Sequence, residues 1–282
     1  MSSISVEDKV KIASSFLLSS PPGEVNDVFN DVRTLVNNDE ALQDGIVQTL
    51  EQYNTEQHIT VCPPEFEYEV QAQVIICKHG KVGEDRYLDP RSKKTFKFDH
   101  VRLTASDLED YTSEIPLDSL REAVQTEALK YVDDHYPNGV CTVHATENNE
   151  IAIAIVDNKY NPNNFWNGRW LASWIYDTQS GNLKGAAKVN VHYYEDGNVQ
   201  LNADKNFEAQ VTKVDNEVQL AESLLKQIAS FDRGYQNTMN ESYNELAENT
   251  FKGLRRALPM TRNKMDWNKI MNYKIGNELS QK

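Results

Sequence analysis

Cysteine is too sparse to build a framework. The 282-residue chain has three, Cys62, Cys77 and Cys141, an odd number with no C-x-x-C pair. That pattern excludes a disulfide scaffold and a cysteine metal knuckle, and it fits ordinary reduced thiols. Long apolar runs are missing too: none approaches the ~18 residues a membrane span requires. The opening MSSISVEDKVKIASSFLL lacks the charged head, long apolar run and small-residue cleavage site of a secretory signal. The expected setting is therefore the cytoplasm, and Asn240-Glu241-Ser242 reads as a chance match to a glycosylation acceptor.

Basic charge is short as well. Twenty-nine Lys/Arg face 43 Asp/Glu, a formal net charge of −14. Non-specific nucleic-acid binding needs a broad positive footprint, so no nucleic-acid partner is expected. Gly80-Lys81-Val82-Gly83 has the look of an RNA-module loop, but the net charge opposes that use. The six histidines show no nucleophile–base pattern, and no phosphate-cradling Gly-Lys-Ser/Thr loop occurs. His192, Glu195 and Asp196 fall on a strand end and its turn, without convincing metal-ligand spacing. The expectation is a protein with no catalytic residues, no metal and no cofactor.

What is present is a change of periodicity along the chain. Residues 5–53 read as three amphipathic helices. Val6, Val10, Ala13 and Leu17 share a side of the first. Val25, Val28, Phe29, Val32, Leu35 and Val36 do so in the second, and Leu42, Ile46, Leu50 and Tyr53 in the third. Ser20-Pro21-Pro22-Gly23 separates the first two, and Asp39 is the expected cap of the third. Short links imply an antiparallel bundle. From about residue 58 the pattern turns to strands, beginning with VQAQVIIC at 70–77. It is broken by one helix near 117–135, with Leu117, Leu120, Val124, Ala128 and Val132 on one face. Hairpin signals follow at 147–150, at Ser180-Gly181 and at Asp196-Gly197, the last suited to a type I′ turn. Successive hairpins predict an antiparallel meander. A helical period then returns over about 215–257 through Ala221, Leu225, Ile228, Tyr235, Met239 and Leu246, with a local irregularity expected at Asp232-Arg233-Gly234.

The end of the chain inverts the charge. Residues 251–282 hold eight Lys/Arg against two acids, a local +6 that leaves −20 on residues 1–250. Leu258-Pro259 should stop the long helix. A shorter one can restart near Met260 and stop at Gly276, with Met260, Trp267 and Met271 on one face and Ile270 and Ile275 beside them. Lys252 and Arg256 share a face before the break, next to Arg255. Two readings fit: a helix folded back on its own domain with a solvated basic rim, or an arm that lays its apolar face into a groove on another protein.

Three strings resemble the alpha subunit of the heterodimeric F-actin capping protein: KYNPNNFWNGRW (159–170), VHYYEDGNVQL (191–201) and FKGLRRALPMTRNKMDWNKI (251–270). The SPPGE turn at 20–24 fits the same family. Leu171-Ala172 stands where the family has a more polar pair, which implies an altered strand surface. The resemblance implies an α+β fold. Its parts are a helical stalk (1–56), a β-rich body (57–214), a long helix on the sheet (215–257) and an actin-binding tentacle (258–282). It implies a beta subunit as obligate partner in a heterodimer. It implies calcium-independent binding of actin-filament barbed ends, without severing, in the cortical actin cytoskeleton. By match of motif, Lys252, Arg256 and Arg262 are the foremost candidates for actin contact. Arg255 and Lys264 are lesser ones, and Trp267, Ile270 and Met271 form the apolar face. Phosphoinositides would compete at Lys252 and Arg256. The alternatives are a peripheral phosphoinositide-binding membrane protein using the same arm and, third, a carbohydrate enzyme built on Asn163, Asn167 and Trp166.

Overall fold

In the computed structural model the described residues are 4–64, 73–195, 197–245 and 248–249. Three helices come first: α1 (Val6–Leu18), α2 (Val25–Val36) and α3 (Asp39–Glu56). Their apolar faces meet in a core of their own, with Ala13, Leu17, Val32, Val36, Leu42, Ile46, Leu50 and Tyr53 buried. The Thr49 hydroxyl donates to Ser14 at 3.0 Å, tying α3 to α1. Ser5 caps α1 through Asp8 N–H. Asn38, not Asp39, caps α3 by accepting from Ala41 N–H. Asp39 is drawn away into a two-bond fork with Arg33 at 2.7 and 2.9 Å. Two residues of the expected stripe fall outside the core: Leu35 is 73% exposed and Val6 42% exposed. Val36 next to Leu35 already fills the turn that faces α1 and α3.

The segment after α3 holds strands β1 (Thr60–Val61) and β2 (Val74–Ile75), antiparallel to each other. Much of the strand expected at 70–77 is absent from Gln73 on, since only Val74 and Ile75 pair. Ile75 N–H is taken by the side-chain hydroxyl of Thr142 at 3.1 Å instead of by a strand carbonyl. A three-stranded antiparallel sheet follows: β3 (Arg86–Asp89), β4 (Lys94–Asp99) and β5 (Thr104–Asp110). Tyr87, Phe96 and Phe98 are buried in its core. It is joined to α3 by Asn54, whose amide donates to His100 O at 2.9 Å.

Helix α4 (Asp118–His135) precedes a five-stranded antiparallel meander in the order β10-β9-β8-β7-β6. Its strands are β6 (Val140–Ala145), β7 (Glu150–Asn161), β8 (Trp166–Asp177), β9 (Asn182–Tyr193) and β10 (Val199–Gln210). Leu117 stands just before α4 with φ 52°, so it is not part of the helix. The β9–β10 ladder ends at Tyr193↔Val199, which makes the connection longer than a two-residue type I′ turn, and Gly197 has φ 154°. Helix α5 runs Glu217–Glu245 with no interruption at 232–234. The chain divides into two units, residues 1–232 and 233–282. In the first, the 217–231 part of α5 lies with α4 on one face of the meander. Leu220, Leu224, Leu225 and Ile228 there join Val124, Val132, Ile153 and Trp174 in the largest core. In the second, the described residues continue α5 to Glu245. Leu171 and Ala172 are both buried, so the departure from the family pattern there alters the interior of the sheet, not its surface.

Candidate functional site

The string 159–170 closes β7, turns through a short 3-10 helix at Pro162–Asn164 and opens β8. Its side chains join the meander to the helical stalk. Arg169 is only 3% exposed. Its Nε donates to Asn158 Oδ1 at 2.6 Å, Nη2 to the Tyr160 hydroxyl at 2.6 Å and Nη1 to Gln57 Oε1 at 3.2 Å. Gln57 is the residue that terminates α3, so a guanidinium rooted in the sheet reaches the base of the stalk. A planar fork of donors suits such a three-way joint better than a lysine would.

A second joint uses the SPPGE turn. Glu24 Oε1 accepts from the Asn167 amide at 2.9 Å and from His192 Nδ1–H at 2.7 Å. Asn167 and His192 lie opposite each other on β8 and β9. Asn167 is therefore committed to a structural contact, while Asn163 is exposed in the turn. The carbohydrate reading required both side chains around one polar pocket, and this arrangement removes one of them. His192 likewise serves Glu24. Among the described residues no cluster of His, Cys, Asp or Glu has the arrangement of a metal site. Lys81, in the glycine-flanked loop, pairs with Glu51 of α3.

Asp232 is the buried polar group of α5. The Tyr131 and Tyr136 hydroxyls both donate to its Oδ2, at 2.7 and 2.8 Å. Burial pushes the carboxyl above its usual range, and the two tyrosine bonds pull it partly back. The same burial, reinforced by the Asp232 charge, pushes the Tyr136 phenol up. Two phenols on one carboxylate oxygen fix α5 against the end of α4 at the last residue of the first unit. The sequence offered Asp232 only as a break in an apolar seam. Its partners lie about a hundred positions away, where no periodicity connects them.

The basic positions expected to touch actin or phosphoinositide, Lys252, Arg255, Arg256, Arg262 and Lys264, lie outside the described residues. So do the apolar Trp267, Ile270 and Met271. The charged residues of α5 that are described include Glu217, Glu222, Glu241 and Glu245 against Lys226 and Arg233, so the sequence leading to the tail is acidic.

A family model for the F-actin capping protein alpha subunit matches residues 13–278. The chain belongs to the F-actin capping protein alpha subunit family. The F-actin-capping protein subunit alpha of Caenorhabditis elegans is 40% identical over 285 residues, covering 99% of this chain and all of the relative. The Dictyostelium discoideum subunit is 36% identical over 284 residues, with 98% and 99% covered. The Neurospora crassa subunit is 37% identical over 270 residues, with 95% and 96% covered. The solved structure of a homodimeric actin capping protein alpha subunit from Plasmodium berghei superposes with a TM-score of 0.72 at 22% identity, over 91% of this chain and 99% of that one. That likeness shows the shared fold. As a capping protein alpha subunit the chain is part of the actin cytoskeletal machinery, and its α+β architecture is that of the family. Among the described residues no helix is long and apolar enough to cross a membrane.

Proposed function

We propose that this alpha subunit is one half of a heterodimer with a capping protein beta subunit. The dimer binds the barbed ends of actin filaments and blocks gain and loss of subunits there. It acts calcium-independently, without severing and without catalysing a reaction. The observation that carries the reading is the charge inversion within the family match: +6 on residues 251–282 against −20 on residues 1–250, with the match extending to residue 278. An acidic body with a basic, tryptophan-bearing end is built to meet an acidic polymer locally while repelling it elsewhere. Residues 258–282 then act as the contacting arm, with Lys252, Arg256 and Arg262 foremost, Arg255 and Lys264 in support, and Trp267, Ile270 and Met271 as its apolar face.

Support for a dimer comes from the sheet. β10 is its terminal strand and carries twelve residues, a long edge for a soluble protein to leave unpaired. A partner strand, or the face of a partner helix, would cover it. Polyanionic phosphoinositide head groups would compete with actin for Lys252 and Arg256. The location that follows is the cortical actin cytoskeleton. The test is elongation of pyrene-labelled actin from barbed ends, with the full heterodimer and with one ending at residue 250. Full capping by the first and a large loss by the second are expected. Unchanged capping by the shortened dimer would reject the tail assignment.

A further inference from the structure

The face of the meander opposite α4 and α5 meets the end of α3 and the 3-10 turn Lys78–Gly80, and between them lies a cavity of about 320 Å³. Its floor is made of small side chains: Ala154 and Ser173 are register partners on β7 and β8, and Ala152 lies two residues from Ala154. Three imidazoles surround the space, His58, His79 and His144. Lys78 and Lys188 stand exposed on its rim, and neither has an ion-pair partner among the described residues. Among the described lining residues Glu56 alone is a carboxylate, and it accepts from Gln52 at 2.9 Å.

The inner wall carries unmet hydrogen-bonding capacity. His144 is 2% exposed and its Nε2 has no partner; His58 Nδ1 is likewise buried and unpartnered. Gly80 keeps the edge of the His144 ring open, since a Cβ there would stand 3.2 Å from Nε2. Burial drives both rings to the neutral form, His58 down to about 4 and His144 down to about 3. Nearby cations reinforce this: Arg169 and Lys188 for His58, and Arg121 and Arg91 for His144. In a chain of net charge −14, this cavity thus combines two exposed lysines with buried, unpartnered ring nitrogens. Such a site lacks its counter-charge.

We propose that this cavity binds a small phosphate monoester. The head group pairs with Lys78 and Lys188 and accepts N–H bonds from His58 and His144, and the organic part rests on the Ala152–Ala154 floor. Two ammonium groups match a head group that carries close to two negative charges, which a carboxylate does not. The site is remote in sequence from the basic tail.

The probe is phosphoserine, titrated into the full-length chain co-purified with its partner subunit, at neutral pH and low chloride. Calorimetry gives the affinity, and ¹⁵N spectra of the histidine rings give the location. Phosphoserine should bind at least about tenfold more tightly than acetate. It should move the ring-nitrogen signals of His58 and His144, and raise the pKa of His58. Lys78→Gln with Lys188→Gln should weaken binding by about tenfold or more. Ser173→Glu, at an exposed position, should abolish it while leaving the fold intact by circular dichroism. Binding equal in wild type and the double variant would overturn the proposal. So would saturation by phosphoserine without a change at either ring, or no binding at all.

Discussion

Gly185 on β9 lies directly beneath the Trp174 ring on β8: a Cβ on Gly185 would stand 2.1 Å from Trp174 Cε3. The two are register partners, and Trp174 is fully buried in a three-ring cluster with Phe207 and Phe231, at 5.5 and 5.7 Å from them, while those two rings lie 5.1 Å apart. Strand glycines usually weaken a sheet, so this one is kept for the space its missing side chain leaves.

Gly185→Ala is therefore expected to destabilise the protein. The added methyl must displace a buried indole packed against Phe207 and Phe231, an overpacking cost of roughly 1–3 kcal/mol. The urea midpoint of the variant should fall with little change in slope. A midpoint equal to wild type would mean the ring has room to move.

Acid should loosen the same body through its histidines. His58 and His144 titrate lower in the folded chain than the ordinary value of 6.5, because burial penalises their charged forms. As pH falls the unfolded chain takes up these protons first, so stability is full above about 6.5 and declines below it. The window runs down to about 4 for His58 and about 3 for His144. Each ring contributes a slope of at most about 1.4 kcal/mol per pH unit inside its window. Urea midpoints between pH 7.5 and about 5 should show the decline, shallower in His58→Gln. A flat profile would show that water reaches the rings in the folded chain.

Charge at the tail should govern encounter more than residence. Replacing Lys252, Arg256 and Arg262 together by Ala should slow association with barbed ends by about tenfold at low salt, with the gap closing as salt rises. Ending the chain at residue 257 should instead speed dissociation, because buried apolar anchors set the lifetime of a complex. Time courses of capping and uncapping separate the two. Wild-type association by the triple variant at low salt would refute the electrostatic account.

Much of this architecture is legible in the sequence because it rests on local repetition. The stripes of α1, α2 and α3, the hairpin order of β6 to β10 and the apolar seam of α5 are period-two or period-3.6 signals. The three-stranded sheet β3–β5 escapes a pattern reading, since strand β5 reads TASDLED, with Ala105 and Leu108 alone as apolar residues. Asn38 and Asp39 are equally good caps by residue type, so the sequence alone does not separate them. Only the fork to Arg33 decides between them, and that contact runs between two helices. The joints Glu24–His192 and Arg169–Gln57 pair residues more than a hundred positions apart. Their sole trace was the resemblance of the surrounding strings to a family. The positions proposed for actin contact rest on the match of motif and on the charge inversion, and they lie outside the described residues.

The Arg169 and Asn167 joints give the string KYNPNNFWNGRW a role as mortar between stalk and sheet. The part of the sequence that most readily betrays kinship is thus a masonry element, while the chemistry proposed to grip the filament sits some eighty residues downstream. Homologues could shed or rewrite their tails and still look related by that string. Kinship detected there warrants shape, and competence to seal a filament must be judged from the far end of the chain.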